Sequence, residues 1–146
     1  MKRTEQREYT FILLYCNVFH SQEDMPKQFE LFWDSINSEK EELENTGQHR
    51  IHISDEEMQY ITERVNQVTR HLDEIDAAIN KAAVKWTTER MSKVDLTILR
   101  LAYYEMKMDE EVPQKVAINE AVDLAKKYGT DDSASFINGV LAKLFV

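Results

Sequence analysis

A chain of 146 residues with only three glycines and two prolines has little with which to turn tightly. Hairpins use glycine for positive φ and proline for a preset φ, and an all-β fold needs such turns roughly every ten residues. Helices joined by a few polar connections are what remains, and the positions of the breakers agree. Pro113 and Gly129 bracket an apolar-periodic stretch in which Val116, Ala117, Ala121, Val122, Ala125 and Tyr128 recur at steps of three and four. Proline suits the first turn, where its missing N–H would be unbonded anyway. Glycine suits the helix end, where φ > 0 carries no Cβ penalty. Lys126 and Lys127 in the last turn complement the helix dipole.

The same period recurs along the rest of the chain. From Thr4 to Phe19 there is no breaker, and Tyr9, Ile12, Leu13, Cys16 and Phe19 form a stripe. Phe11, Leu14, Tyr15 and Val18 make this helix apolar almost all round, so it is predicted to pack on more than one side. A second helix is predicted from Met25-Pro26, burying Phe29, Phe32, Trp33 and Ile36 and decaying into an acidic run that ends at Glu44. Residues 45–48, within a wider 40–53 segment, read as a loop. Ser54 and Glu57 have the spacing of a capping box. The helix they open carries Met58, Ile61, Val65, Val68 and Leu72 inward. Its pattern continues through Ile75, Ile79, Ala82, Ala83 and Trp86, with a break near residues 71–73. Ser92 is an N-cap for a helix to about Met108, whose buried side includes Glu105, a carboxylate that needs a partner. Residues 131–133 start a last helix with Phe136, Ile137, Val140, Leu141 and Leu144 inward. Gly139 within it implies close approach of a neighbouring helix. The expectation is one all-α domain over residues 1–146, with six or seven helices and no strands.

The formal net charge of −9 excludes indiscriminate nucleic-acid binding, but the charge is unevenly spread. Residues 21–60 are strongly acidic, with only Lys27, Lys40 and Arg50 in opposition. The first eight residues carry Lys2, Arg3 and Arg7 against Glu5 and Glu8, and residues 112–146 are balanced. An anion can be met at the N-terminus or in the C-terminal part, not on the acidic stretch. Enzyme readings lack the needed residues: the glycines are too scattered for a phosphate loop. His20, His49, His52 and His71 show no metal-binding spacing, and Cys16 lies on an apolar stripe as a small packing residue. Neither a cofactor nor a metal is expected. A single cysteine and no long apolar run fit a cytoplasmic protein.

Three segments carry a resemblance: Leu99-Arg100-Leu101-Ala102-Tyr103-Tyr104-Glu105; Val112-Pro113, then Lys115 through Val122 and Leu124-Ala125-Lys126; and Phe136-Ile137-Asn138-Gly139-Val140-Leu141. In this order they resemble the NusB family of transcription antitermination factors, densely from about Trp86 onward and more loosely over residues 1–20. The resemblance implies an all-helical fold of two small bundles packed at right angles. It also implies a non-catalytic role: with NusE, a small-subunit ribosomal protein, such a factor holds the boxA element of nascent RNA. The pair then joins RNA polymerase and supports ribosomal-RNA synthesis. A similar domain occurs in ribosomal-RNA cytosine methyltransferases. Since this chain ends directly after the domain, the stand-alone factor is expected, with the methyltransferase-associated domain as the alternative.

The resemblance also assigns residues. The family's basic N-terminal segment falls on Lys2, Arg3 and Arg7, although Thr4, Glu5 and Gln6 stand where many relatives are basic. Its RNA-facing residues fall on Tyr15, Asp132 and Phe136, and its partner-facing acids on Glu89 and Asp95. Each has a plainer reading beside it: solubilising charge for the basic residues, core for Phe136, a dipole-complementing acid for Asp95. Asn119 and Glu120 read as structural.

Overall fold

The structure, a computed structural model, describes residues 1–45 and 53–145, the side chains of residues 39–45 excepted. Among these residues it is helical throughout, with no strand: α1 (Arg3–Val18), α2 (Met25–Asn45), α3 (Asp55–Arg70), α4 (Leu72–Ala82), α5 (Lys93–Lys107), α6 (Gln114–Tyr128) and α7 (Ser133–Leu144). Asn45, expected to open a loop, still belongs to α2. Residues 46–52, with His49 and His52, lie outside the described residues. The chain divides into two compact units, Met1–Asn66 and Gln67–Val146.

In the first unit, Tyr9 of α1 meets Phe32 and Trp33 of α2 edge-on, with ring centroids 6.0 Å apart in both pairs. The Trp33 indole N–H donates to the Thr62 hydroxyl at 3.2 Å, so a buried polar handle is satisfied while the ring packs. The deepest positions of α1 are Thr10, Phe11, Leu13 and Leu14. Tyr9, Ile12 and Cys16 of the predicted stripe are only half-buried, and Phe19 is 58% exposed just past the helix end. Spacing cannot rank the sides of a helix that is apolar on most of its circumference. Thr10 is tolerated inside because its hydroxyl donates to the Gln6 carbonyl one turn back, at 2.7 Å. The Ser54 capping box forms: the Glu57 N–H donates to Ser54 Oγ at 3.2 Å, and that hydroxyl donates to Glu57 Oε1 at 3.2 Å.

The second unit is built on α5, which packs against α4, α6 and α7, while α7 also meets α4 and α6. Ile98, Leu99 and Leu101 of α5 and Ile137 and Leu141 of α7 are at most 2% exposed, each contributing about 1.5–3 kcal/mol of burial. Ser92 caps α5, accepting the Asp95 N–H at 3.1 Å. Glu105 is buried as expected and is not without a partner. The break predicted near residues 71–73 falls at His71, whose Nδ1 lies 2.7 Å from the Gln67 carbonyl.

Three expectations are corrected here. The α4 pattern does not carry Trp86 inward: α4 ends at Ala82, Val84 takes φ 36°, and Trp86 is 52% exposed. A β-branched residue in the left-handed region costs roughly 1–3 kcal/mol. Gly129 does not end α6 through positive φ, for its φ is −91°. It is needed for space, because a Cβ there would meet the Ser133 side chain and stand 2.8 Å from the Ala125 carbonyl oxygen. Gly139 supports no close helix approach, since a Cβ there would meet nothing within 4 Å among the described residues. On α6 the buried set is Ala117, Ala121, Leu124 and Ala125, while Val116 is 42% exposed and Val122 and Tyr128 are half-buried.

Candidate nucleic-acid interface

The tight corner at Gly129 determines where α7 begins. The Thr130 N–H donates to Ser133 Oγ at 3.0 Å, and the Thr130 hydroxyl lies 3.3 Å from the same oxygen. Ser133 is therefore buried and bonded, while Asp132 before it is exposed, its carboxylate not spent on capping the helix. One turn on, Phe136 is half-buried, neither the core residue of the periodic reading nor a freely projecting ring.

Asp132, Ser133 and Phe136 form one wall of a pocket of about 230 Å³. The opposite wall comes from the connection into α5, with Trp86, Arg90, Met91 and Ser92, and from Asp95 in the first turn of α5. That connection is pinned by Asn80, whose side-chain oxygen accepts the Thr88 N–H at 2.7 Å. Asp95 Oδ1 is shielded from solvent and has no hydrogen-bond partner among the described residues. Such an oxygen carries a desolvation cost that an incoming donor would relieve. Aromatic faces, two carboxylates and the Arg90 guanidinium thus converge on an open concavity beside a helix N-terminus. This arrangement can bind polar and planar groups.

Three of the expected site residues, Asp95, Asp132 and Phe136, come together here. Glu89 is exposed on the same connection and does not line the pocket. Trp86 and Arg90 do line it and were missed. The helical period that points Trp86 inward runs past the helix end at Ala82, and Arg90 lies just ahead of the Ser92 cap.

The other four expected residues are in the first unit. Lys2 is the exposed N-cap residue of α1 and Arg3 its exposed first residue; Arg7 is half-buried and engaged with a neighbour. The Met1 amino group ahead of them lies 3.2 Å from Glu57 Oε2 in an ion pair. Loss of solvation pushes the Glu57 carboxyl up, but the amino group and Ser54 favour its charged form more strongly. The net shift is below the ordinary value. Tyr15 is half-buried in an aromatic row along α1, stacked on Phe11 at 6.4 Å and edge-on to Phe19 at 5.1 Å. Burial pushes the Cys16 thiol up, which disfavours a thiolate nucleophile. Asn119 is exposed on α6 and Glu120 half-buried and engaged, so only the second fits the structural reading.

Among the described residues, no group of three or more histidine, cysteine, aspartate or glutamate side chains is placed to hold a metal ion. None of their helices is long and apolar enough to cross a membrane. Fold and pocket together define a helical binding module. The chain belongs to the NusB family, whose model matches residues 4–145. It is 46% identical over 143 residues to the transcription antitermination protein NusB of Agathobacter rectalis, covering 98% of each chain. Among solved structures it matches T. maritima NusB with a TM-score of 0.75 at 28% identity, over 99% of this chain and 90% of that one. It also matches a chain of a crystal structure of antitermination factors NusB and NusE in complex with double-stranded RNA. There the TM-score is 0.69 at 26% identity, over 99% of this chain and 98% of that chain.

Proposed function

We propose that this protein is a cytoplasmic, non-catalytic transcription antitermination factor. In this reading residues 1–146 act as a single RNA-binding domain. With NusE it holds the boxA element of nascent transcripts, joins the RNA polymerase antitermination complex and supports ribosomal-RNA synthesis. The observation that carries the reading is the pocket formed by Asp95, Asp132 and Phe136 in a chain that matches the NusB family over nearly its whole length. Phe136 offers a ring to an unstacked base, and Lys2, Arg3 and Arg7 offer cations to phosphates. Tyr15 serves the RNA through its hydroxyl while its ring stays packed. Asp95, with its unsatisfied oxygen, and the exposed Glu89 face a basic partner. The antitermination name of the matched relative favours this reading over a methyltransferase-associated domain.

The test is co-purification of the full chain with NusE, with and without a boxA oligonucleotide. A ternary complex tighter than either pair is expected. Asp95→Ala should weaken NusE capture, and Arg3→Ala and Phe136→Ala should weaken RNA binding at unchanged melting temperature. Arg3 is the cleaner basic variant, because it is exposed where Arg7 is half-buried and engaged. Absence of any complex, or RNA binding that neither Arg3→Ala nor Phe136→Ala weakens, would overturn the assignment.

A further inference from the structure

Beyond the Asp95–Asp132 pocket lies a second concavity, a groove of about 380 Å³ between the end of α4 and the outer side of α7. Trp86 and Phe136 line both, so the two are continuous through a pair of aromatic side chains. Their chemistry differs. The first contains Asp95 and Asp132. The residues lining the second include no carboxylate, and its charged members are Lys85 and Lys143. On a chain of net charge −9, a concavity whose only charges are positive selects for an anion.

Two features of the groove have no explanation within the chain. Gly139 sits within α7 at an exposed position that no described residue approaches, although alanine would serve the helix better. Bare backbone at that point lets a ligand lie against the helix. On the opposite side Val84 is held at φ 36° and 76% exposed, and the same turn leaves the Trp86 indole half in solvent. Exposed aromatic rings interleaved with lysines are the pattern that holds single-stranded nucleic acid: bases stack on the rings and cations take the phosphates.

We propose that this groove carries the RNA strand onward from Phe136. The Trp86 indole stacks one further base, Lys85 and Lys143 neutralise the flanking phosphates, and the strand lies close to the helix at Gly139. The inference rests on the reading that the chain binds RNA at Phe136. It extends the RNA footprint to residues the family resemblance does not assign.

The probe is a single-stranded boxA RNA of about twenty nucleotides, titrated into the full chain with NusE present. Of the two tryptophans, Trp33 is buried and Trp86 exposed, so RNA should quench a fluorescence component that Trp86→Phe removes. Trp86→Ala should weaken binding about tenfold. The pair Lys85→Ala and Lys143→Ala should reduce the slope of log K against log salt by about 1.4. Gly139→Leu, which fills open space, should weaken binding while the protein remains folded. If Phe136→Ala weakens binding but none of the groove variants does, the groove proposal falls and the antitermination reading stands. If wild type shows no RNA binding, or neither Phe136→Ala nor Arg3→Ala weakens it, the underlying reading falls too. Groove variants that lose NusE but keep RNA would also overturn the proposal, since the groove would then be a protein interface.

Discussion

At the scale of single residues, the two glycines of the C-terminal region have opposite meanings. A methyl group at Gly129 collides with the Ser133 side chain and the Ala125 carbonyl, so Gly129→Ala should destabilise the protein by about 1–3 kcal/mol. The same change at Gly139 meets open space and should stabilise it by about 1 kcal/mol. Thermal or urea unfolding of the two variants checks the contrast, and similar shifts in both would contradict it. The residue types alone invited the reverse assignment, with Gly129 as a left-handed cap and Gly139 as a packing contact. Both motives are local and general. What decides between them is whether another side chain stands within reach, and that depends on how α6 and α7 meet. Trp86 teaches the same lesson: its spacing continued α4, but the helix had already ended at Ala82.

At the scale of elements, helix existence was legible because apolar period and end signals coincide. Pro113 and Gly129 bound α6, and Ser54 and Ser92 mark the starts of α3 and α5. Ser92→Ala should therefore cost about 1 kcal/mol of stability, read as a lowered melting temperature. The Glu57 carboxyl titrates below its ordinary value, so the stability it contributes is present above the unfolded value of about 4.5 and is lost as pH falls through the depressed one. Glu57→Gln should thus lower stability at neutral pH and flatten the fall as pH drops below about 4.5. An unchanged pH profile would show that the cap and its ion pair do not influence folding. The bidentate pair between Asp76 of α4 and Arg100 of α5, at 2.8 and 2.9 Å, was not legible. Its partners are 24 residues apart on different helices, and no local pattern links them. Three of the pocket residues, Asp95, Asp132 and Phe136, were legible through the family resemblance; Arg90 and Trp86 reach the pocket from the connection between α4 and α5, whose path no local pattern shows.

At the scale of the whole molecule, charge governs what the protein can hold. With a net charge of −9 and only Lys2, Arg3 and Arg7 in the N-terminal segment, RNA binding by the isolated chain should be weak and salt-sensitive. Three phosphate contacts in this segment predict a slope of roughly −2 in log K against log salt, to which the two groove lysines would add about 1.4. A filter-binding or anisotropy titration between about 50 and about 200 mM salt checks this. Tight, salt-insensitive binding without NusE would show that the basic arm is not the main attachment. The corner between α6 and α7 bears on how such a protein can diverge. Gly129 admits no side chain and Ser133 is fastened to Thr130, so the turn itself has little room for mutational drift. Asp132 is exposed and Phe136 only half-buried, both beside an open concavity. Descendants of this sequence can therefore exchange Asp132 and Phe136 while inheriting the bend that presents them.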